Sequence, residues 1–398
     1  MGGVQMTKYE VENQNVNESD ELIDVVEEFD YSTQSQEYNE SFKKWRKSPS
    51  NAYVYNYKKN KKETEFIDGL GYMSTSSAEA EREVLSRCLH LLGAVLLTYI
   101  LVENIFCKVA ISIMESAGLN IHNSFINNSI YGGAKEVVIV LILFNTLKYI
   151  IPIYLIHHFL KMPYKVGFPL KLRSASELMY AISGTMIISV VSSISRAYAD
   201  QTREIYNFFD AYDANVAFFA QHELVIYTFF EVIVVSILSE CLFRGEIFHC
   251  LRQYGDLFAI IVTSFFSAVI TQNFSMMPAY FMISMFSGFM VLRSGTITTA
   301  VIIRAIHSLY LLTLTIIESS TSPNMFLTRN FYMSVMFAVG VIIFLIVNSV
   351  CKAKIVVMFT NIKTHIKMRS KISLCFQSIS LIGVILACII LAITNFVI

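Results

Sequence analysis

The chain has 398 residues, of which 54% are apolar and only 16% charged, with Lys and Arg balancing Asp and Glu at zero net charge. Soluble domains carry about 25% charged residues, and here the apolar residues arrive in blocks of about 20, the length that crosses a hydrocarbon core. A soluble enzyme, a nucleic-acid-binding protein and a binder of acidic substrates are therefore excluded as readings. The seven cysteines are scattered without a CxxC pair, so neither a disulfide framework nor a zinc-thiolate site is expected.

In chain order, residues 1–86 read as a disordered polar cytoplasmic tail, acidic first (Glu18 to Asp30) and then basic (Lys43 to Lys62), with too little aliphatic content for a core. The polar start is not expected to be a cleavable signal peptide. Met1-Gly2-Gly3 does not complete a myristoylation motif, because Met6 stands where Ser or Thr is needed. The basic run is read as a solvated linker rather than a lipid clamp.

Nine helices follow, at about 89–114, 137–160, 177–198, 224–243, 257–271, 279–292, 296–317, 330–350 and 373–397. The predicted fold is all-α: a polytopic transmembrane bundle, divided into N-terminal helices (87–222), a core (223–318) and C-terminal helices (319–398). Orientation is expected from basic and acidic loops. The loops with Lys161 to Arg173 and Lys352 to Lys371 are basic, and the one with Asp200 to Glu223 is acidic. Together they put the N-terminus in the cytoplasm of a multi-pass protein of the cell membrane.

Ionisable groups inside spans are costly unless paired or hydrated, so each is a site candidate. Glu240 and Arg244 share a helix face at i,i+4. Arg304 falls mid-span, and Glu240 is its expected partner; His307 follows one turn on. Glu103 is expected to pair with a nearby Lys, Lys108 and Lys148 to reach an interface, and Glu231 to be a partner for Lys148. No cofactor or metal is expected. The partners expected are membrane lipid and a transmembrane protein or peptide, not nucleic acid.

Ser239-Glu240-Cys241-Leu242-Phe243-Arg244-Gly245 resembles the Glu-Glu-x-x-Phe-Arg-Gly motif of the CAAX-protease and bacteriocin-processing (CPBP) family of intramembrane proteases. Leu251 to Asp256, Asn273-Phe274, Pro278, Gly288 and Arg293-Ser294-Gly295 follow at the family's spacing, and the Pro163 to Leu170 loop is also similar. The resemblance implies a buried Glu and His activating water, with a further His and Asn polarising the scissile carbonyl. Carried over by position, those places hold substitutions: Ser239 for the first Glu, Ser267 and Thr271 for the second-motif Phe and His, Arg304 and Ser308 for the third-motif His and Asn. Arg304 cannot be a base, since guanidinium stays protonated.

The resemblance thus implies a pseudoprotease that binds membrane peptides or partners, with family roles in peptide maturation, bacteriocin immunity or membrane signalling. The alternative is an active endopeptidase using Glu240 and His307, with Arg244 holding Glu240. A small-molecule or ion carrier is a third reading, with no internal repeat to support it.

Overall fold

A computed structural model describes residues 36–48, 51–56, 65–69, 71–73, 75–123, 130–170, 175–193, 221–274, 276–318, 324–351 and 364–397. A short helix, α1 (Gln36–Arg46), and a hairpin of β1 (Glu65–Ile67) and β2 (Gly71–Met73) precede the bundle. The first long helix, α2 (Ser77–Ser116), is followed by a second hairpin, β3 (Ile121–Asn123) with β4 (Ile130–Gly132), and by α3 (Ala134–Leu160). A single turn, α4 (Tyr164–Gly167), leads to α5 (Ala175–Ser192). The next helix, α6, opens with Gln221–Phe229 and closes with Phe248–Arg252. After it come α7 (Asp256–Val269), α8 (Met277–Ser294), α9 (Ile297–Glu318), α10 (Met325–Cys351), α11 (Met368–Cys375) and α12 (Ile379–Val397).

Each expected helix has a counterpart, and the protein is an all-α, multi-pass bundle. Of the expected helices, six are long and apolar enough to cross a membrane among the described residues. A seventh arises if α11 and α12, bent by 64°, form one span. The shortfall lies in α7 and α8, because α7 has only 14 residues, about 21 Å at 1.5 Å per residue.

Helix boundaries follow local chemistry. The start of α2 lies well before residue 89 because Ser76 caps it: Glu79 N donates to Ser76 Oγ at 3.2 Å and Ser76 N donates to Glu79 Oε2 at 3.3 Å. This reciprocal box satisfies two otherwise orphaned donors. α8 has Pro278 in its first turn and Gly295 at its C-terminal cap with φ of +67°, a left-handed conformation that glycine adopts without strain.

The tail expectation is corrected over residues 36–48 and 51–56. Phe42, Trp45, Val54 and Tyr55 are buried in the main core, since aromatic residues supply there the burial that aliphatic ones do not. Trp45 Nε1 donates to Leu160 O at 2.8 Å, and Asn51 Nδ2 donates to the same carbonyl. Gln253 brackets the segment, accepting from Tyr55 N at 2.9 Å and donating to Tyr53 O at 3.0 Å. Beside it, burial and then neighbouring Cys88 push the Tyr254 phenol well above its ordinary pKa. Residues 1–35, the acidic loop at 200–213 and the basic stretch 352–363 lie outside the described residues.

The C-terminal helices belong to the packed bundle. α12 lies on α2, where a Cβ at Gly93 would come within 2.6 Å of Leu381 N. Only glycine permits backbones to approach so closely. α10 lies on α5 and turns Ile342, Leu345 and Val350 outward, an apolar face suited to lipid.

Candidate functional site

The site is built on α6, whose regular winding is interrupted twice by π-helical turns, Phe230–Val235 and Cys241–Ile247. A third interrupts α2 at Val102–Phe106. Such turns are rare and frequent at functional sites. The three contain Glu231, Arg244 and Glu103, so each carries an ionisable group at membrane depth.

Arg244 is fully buried and almost saturated. Its Nη1 donates to Thr263 Oγ1 at 2.6 Å, its Nη2 to Ser264 Oγ at 3.4 Å and to both oxygens of Ser284, and its Nε to Ser287 Oγ at 3.4 Å. Glu240 Oε2 accepts from Ser287 Oγ at 3.0 Å and lies 3.8 Å from Arg244 Nε. The expected face-sharing of Glu240 and Arg244 is thus present, as a clamp tying α6 to α7 and α8. The sequence reading missed the four hydroxyl residues that complete it. Their signal was available: Thr263, Ser264, Ser284 and Ser287 interrupt apolar helices, and small hydroxyl residues join helices in lipid.

The substituted positions do not converge on Glu240. Ser239 Oγ and Thr271 Oγ1 donate to carbonyls of their own helices, Ser236 O at 3.1 Å and Ala268 O at 2.7 Å. Ser308 is half-buried on α9 and Ser267 buried on α7. His307 Nδ1 shares a hydrogen bond of 2.9 Å with Ser189 Oγ on α5, and the Tyr280 ring meets the imidazole edge-on at 5.3 Å. Among the described residues no hydrogen bond or ion pair joins His307 to Glu240.

The expected Glu240–Arg304 ion pair is corrected as well. Glu240 is engaged by the nearer Arg244 on its own helix, while Arg304 places its guanidinium over the Tyr280 ring at 4.3 Å. Aromatic faces attract cations through their quadrupole. Arg304 is still within electrostatic reach of Glu240, Glu231 and Tyr149.

Lys148, expected at an interface, is instead paired with Glu103 at 2.6 Å between α3 and α2, and Gln272 Nε2 donates to Glu103 Oε2 at 2.8 Å. Glu103 is therefore a lysine partner, as its position suggested. The Lys148 ammonium also lies near the Tyr99 and Tyr149 rings, at 5.4 and 5.6 Å, and within electrostatic reach of Glu231. The result is a layer of polar groups across α2, α3, α6, α8 and α9 at membrane depth.

A buried carboxylate–imidazole contact was missed. Glu246 is fully buried on α6 and its Oε1 lies 2.8 Å from His157 Nδ1 on α3. His157 in turn stacks on Tyr164, ring centroids 4.5 Å apart. One residue earlier, a Cβ at Gly245 would stand 2.8 Å from Phe168 Cε1 and 3.0 Å from Gly167 O. The loop then reaches the start of α9, where Pro169 O accepts from Ile297 N and Thr296 Oγ1, both at 2.9 Å. The Pro163 to Leu170 loop is thereby sewn to the Phe-Arg-Gly segment and to the residues after Gly295. Among the described residues no three His, Cys, Asp or Glu side chains group as metal ligands do.

Residues 221–310, spanning α6 to most of α9, match the family model described as Type II CAAX prenyl endopeptidase Rce1-like. No curated protein and no solved structure matches the chain.

Proposed function

We propose that this chain, a CPBP-family intramembrane protease homologue through residues 221–310, is a pseudoprotease that binds a transmembrane peptide or protein without cutting it. The observation that carries this reading is the state of Glu240. Its carboxylate is held by Ser287 and Arg244, and among the described residues no imidazole or second carboxylate is bonded to it. Activating water needs a base that reaches the water, with donors set for the oxyanion. Here the family's base position is a serine bonded to its own helix, its second-motif His position a threonine bonded likewise, and its third-motif His position an arginine. Each change alone permits compensation; together they remove the base and both imidazoles.

The N-terminus is assigned to the cytoplasm of a cell membrane on the loop charges, and peptide maturation or bacteriocin immunity is the setting the family offers. The test is crosslinking capture from native membranes, comparing wild type with Glu240→Ala and reading partners by mass spectrometry. Intact full-length partners in both samples support a binding scaffold. A partner truncated with wild type and whole with Glu240→Ala would establish a working protease.

A further inference from the structure

The polar layer contains three cations, and they are not equivalent. Arg244 is committed to Glu240 and the α7 and α8 hydroxyls, and Lys148 to Glu103. Arg304 lies over the Tyr280 ring, and among the described residues it joins no ion pair. A guanidinium carries five N–H donors, and among the described residues none of those of Arg304 meets an acceptor, its Nε being buried without one. Leaving charged donors unpaired at membrane depth is costly. Tyr280 covers a face of the guanidinium, which leaves the forked edge suited to a two-oxygen anion. The side chain as a whole is only half-buried, so the fork is within reach of a ligand.

We infer that Arg304 is the anchor of an anion site that takes one carboxylate, presented at membrane depth by an amphiphile. This deepens the scaffold reading above by naming what the site holds, and rests on it. Glu231 and Glu240 lie within electrostatic reach of Arg304, and their field favours a singly charged carboxylate over a doubly charged phosphate. The site sits on the helices that match the family model, at the position where the family's third-motif His would stand. The Arg therefore replaces a transient oxyanion donor with a permanent anion receptor. The carboxylate comes from a peptide C-terminus or from a fatty acid, which share this chemistry.

The test uses the full chain in neutral phosphatidylcholine nanodiscs. One arm compares carboxyl-13C-labelled palmitate with hexadecanol. The other compares a 20-residue apolar peptide with a free C-terminus and the same peptide amidated. At least one carboxylate is expected to bind about tenfold or more tightly than its neutral counterpart, as a charge-assisted hydrogen bond provides. Arg304→Gln is expected to abolish that preference. Arg304→Lys, which keeps the charge and loses the fork, is expected to be intermediate, and serves if Arg304→Gln does not fold. A preference confined to the peptide arm assigns the C-terminus; one confined to palmitate assigns a lipid. Equal binding of acid and neutral forms in both arms, or a preference that survives both Arg304 variants, overturns the inference. Partners still captured intact by Arg304→Gln would then show that the scaffold reading stands without this anchor.

Discussion

Arg244 Nε lies 3.8 Å from Glu240 Oε2, and both groups meet at one hydroxyl, Ser287 Oγ. The charge pair on α6 is thus completed by a hydroxyl from α8 rather than by solvent. Arg244 is also where α7 meets α6 and α8, through Thr263, Ser264 and Ser284. Replacing it with Ala orphans Glu240 and is expected to cost about 3–5 kcal/mol. Arg244→Lys is expected to fare little better, since one ammonium cannot span donors aimed at four residues. Thermal unfolding in detergent compares the variants; wild-type melting of Arg244→Lys would show that the fork is not what matters.

The Glu246–His157 contact is expected to be structural. Glu246→Gln keeps the shape and removes the charge, whereas His157→Phe keeps the stack on Tyr164 and leaves a fully buried carboxylate unpartnered. The second is therefore expected to be more damaging, by roughly 1–3 kcal/mol. A double-mutant cycle on unfolding free energy measures the coupling, and a value near zero would separate the two residues.

Gly245→Ala should destabilise the protein by about 1–3 kcal/mol, because the added methyl meets Phe168 and the Gly167 carbonyl within 3.0 Å. Phe168→Leu in the same chain is expected to recover part of the loss. Recovery of all of it would mean that the backbone contact with Gly167 carries no cost.

Lys371 and Glu81 form a buried pair at 3.4 Å that ties α11 to α2, with the lysine also donating to Tyr254 O and Thr364 Oγ1. Lys371→Met leaves the buried Glu81 carboxylate without its cation, bonded only by Ile366 N among the described residues, for an expected loss of about 3–5 kcal/mol, while the double change Glu81→Leu, Lys371→Met is expected to recover part of it. Limited proteolysis between residues 351 and 378 reports the release of the C-terminal helices. Unchanged cutting in the single variant would remove the pair from the account of how that end is held.

Trp45→Ala is expected to free residues 36–48 and 51–56 without unfolding the bundle, because the side chain joins the segment to α3 through Leu160 O and packs on Phe42 of its own helix. Hydrogen exchange should quicken in those residues and stay slow in α6 to α9. Faster exchange throughout would make the segment part of the cooperative core.

Membrane residence, the helices and the family resemblance of residues 221–310 were legible in the chain, because apolar runs of span length and an ungapped motif register are local, one-dimensional patterns. The capping box at Ser76 was legible too, and would have moved the start of α2. So was Glu240 with Arg244, since i,i+4 spacing is set by helical pitch before any packing. The pairing of Arg304 was not. Sequence spacing does not say which of several membrane carboxylates an arginine meets, and the carboxylate it was assigned is taken by a residue one turn away.

Packing alone decided that Lys148 meets Glu103, that Glu246 meets His157 and that an aromatic-rich stretch of the polar tail docks on Leu160. These contacts join segments far apart in the chain, and their energies depend on distance and burial that only the assembled helices create. The amino-acid order determined where the charges sit on each helix. The tertiary structure determined which were neutralised, and left Arg304 over the Tyr280 ring without a hydrogen-bond acceptor among the described residues.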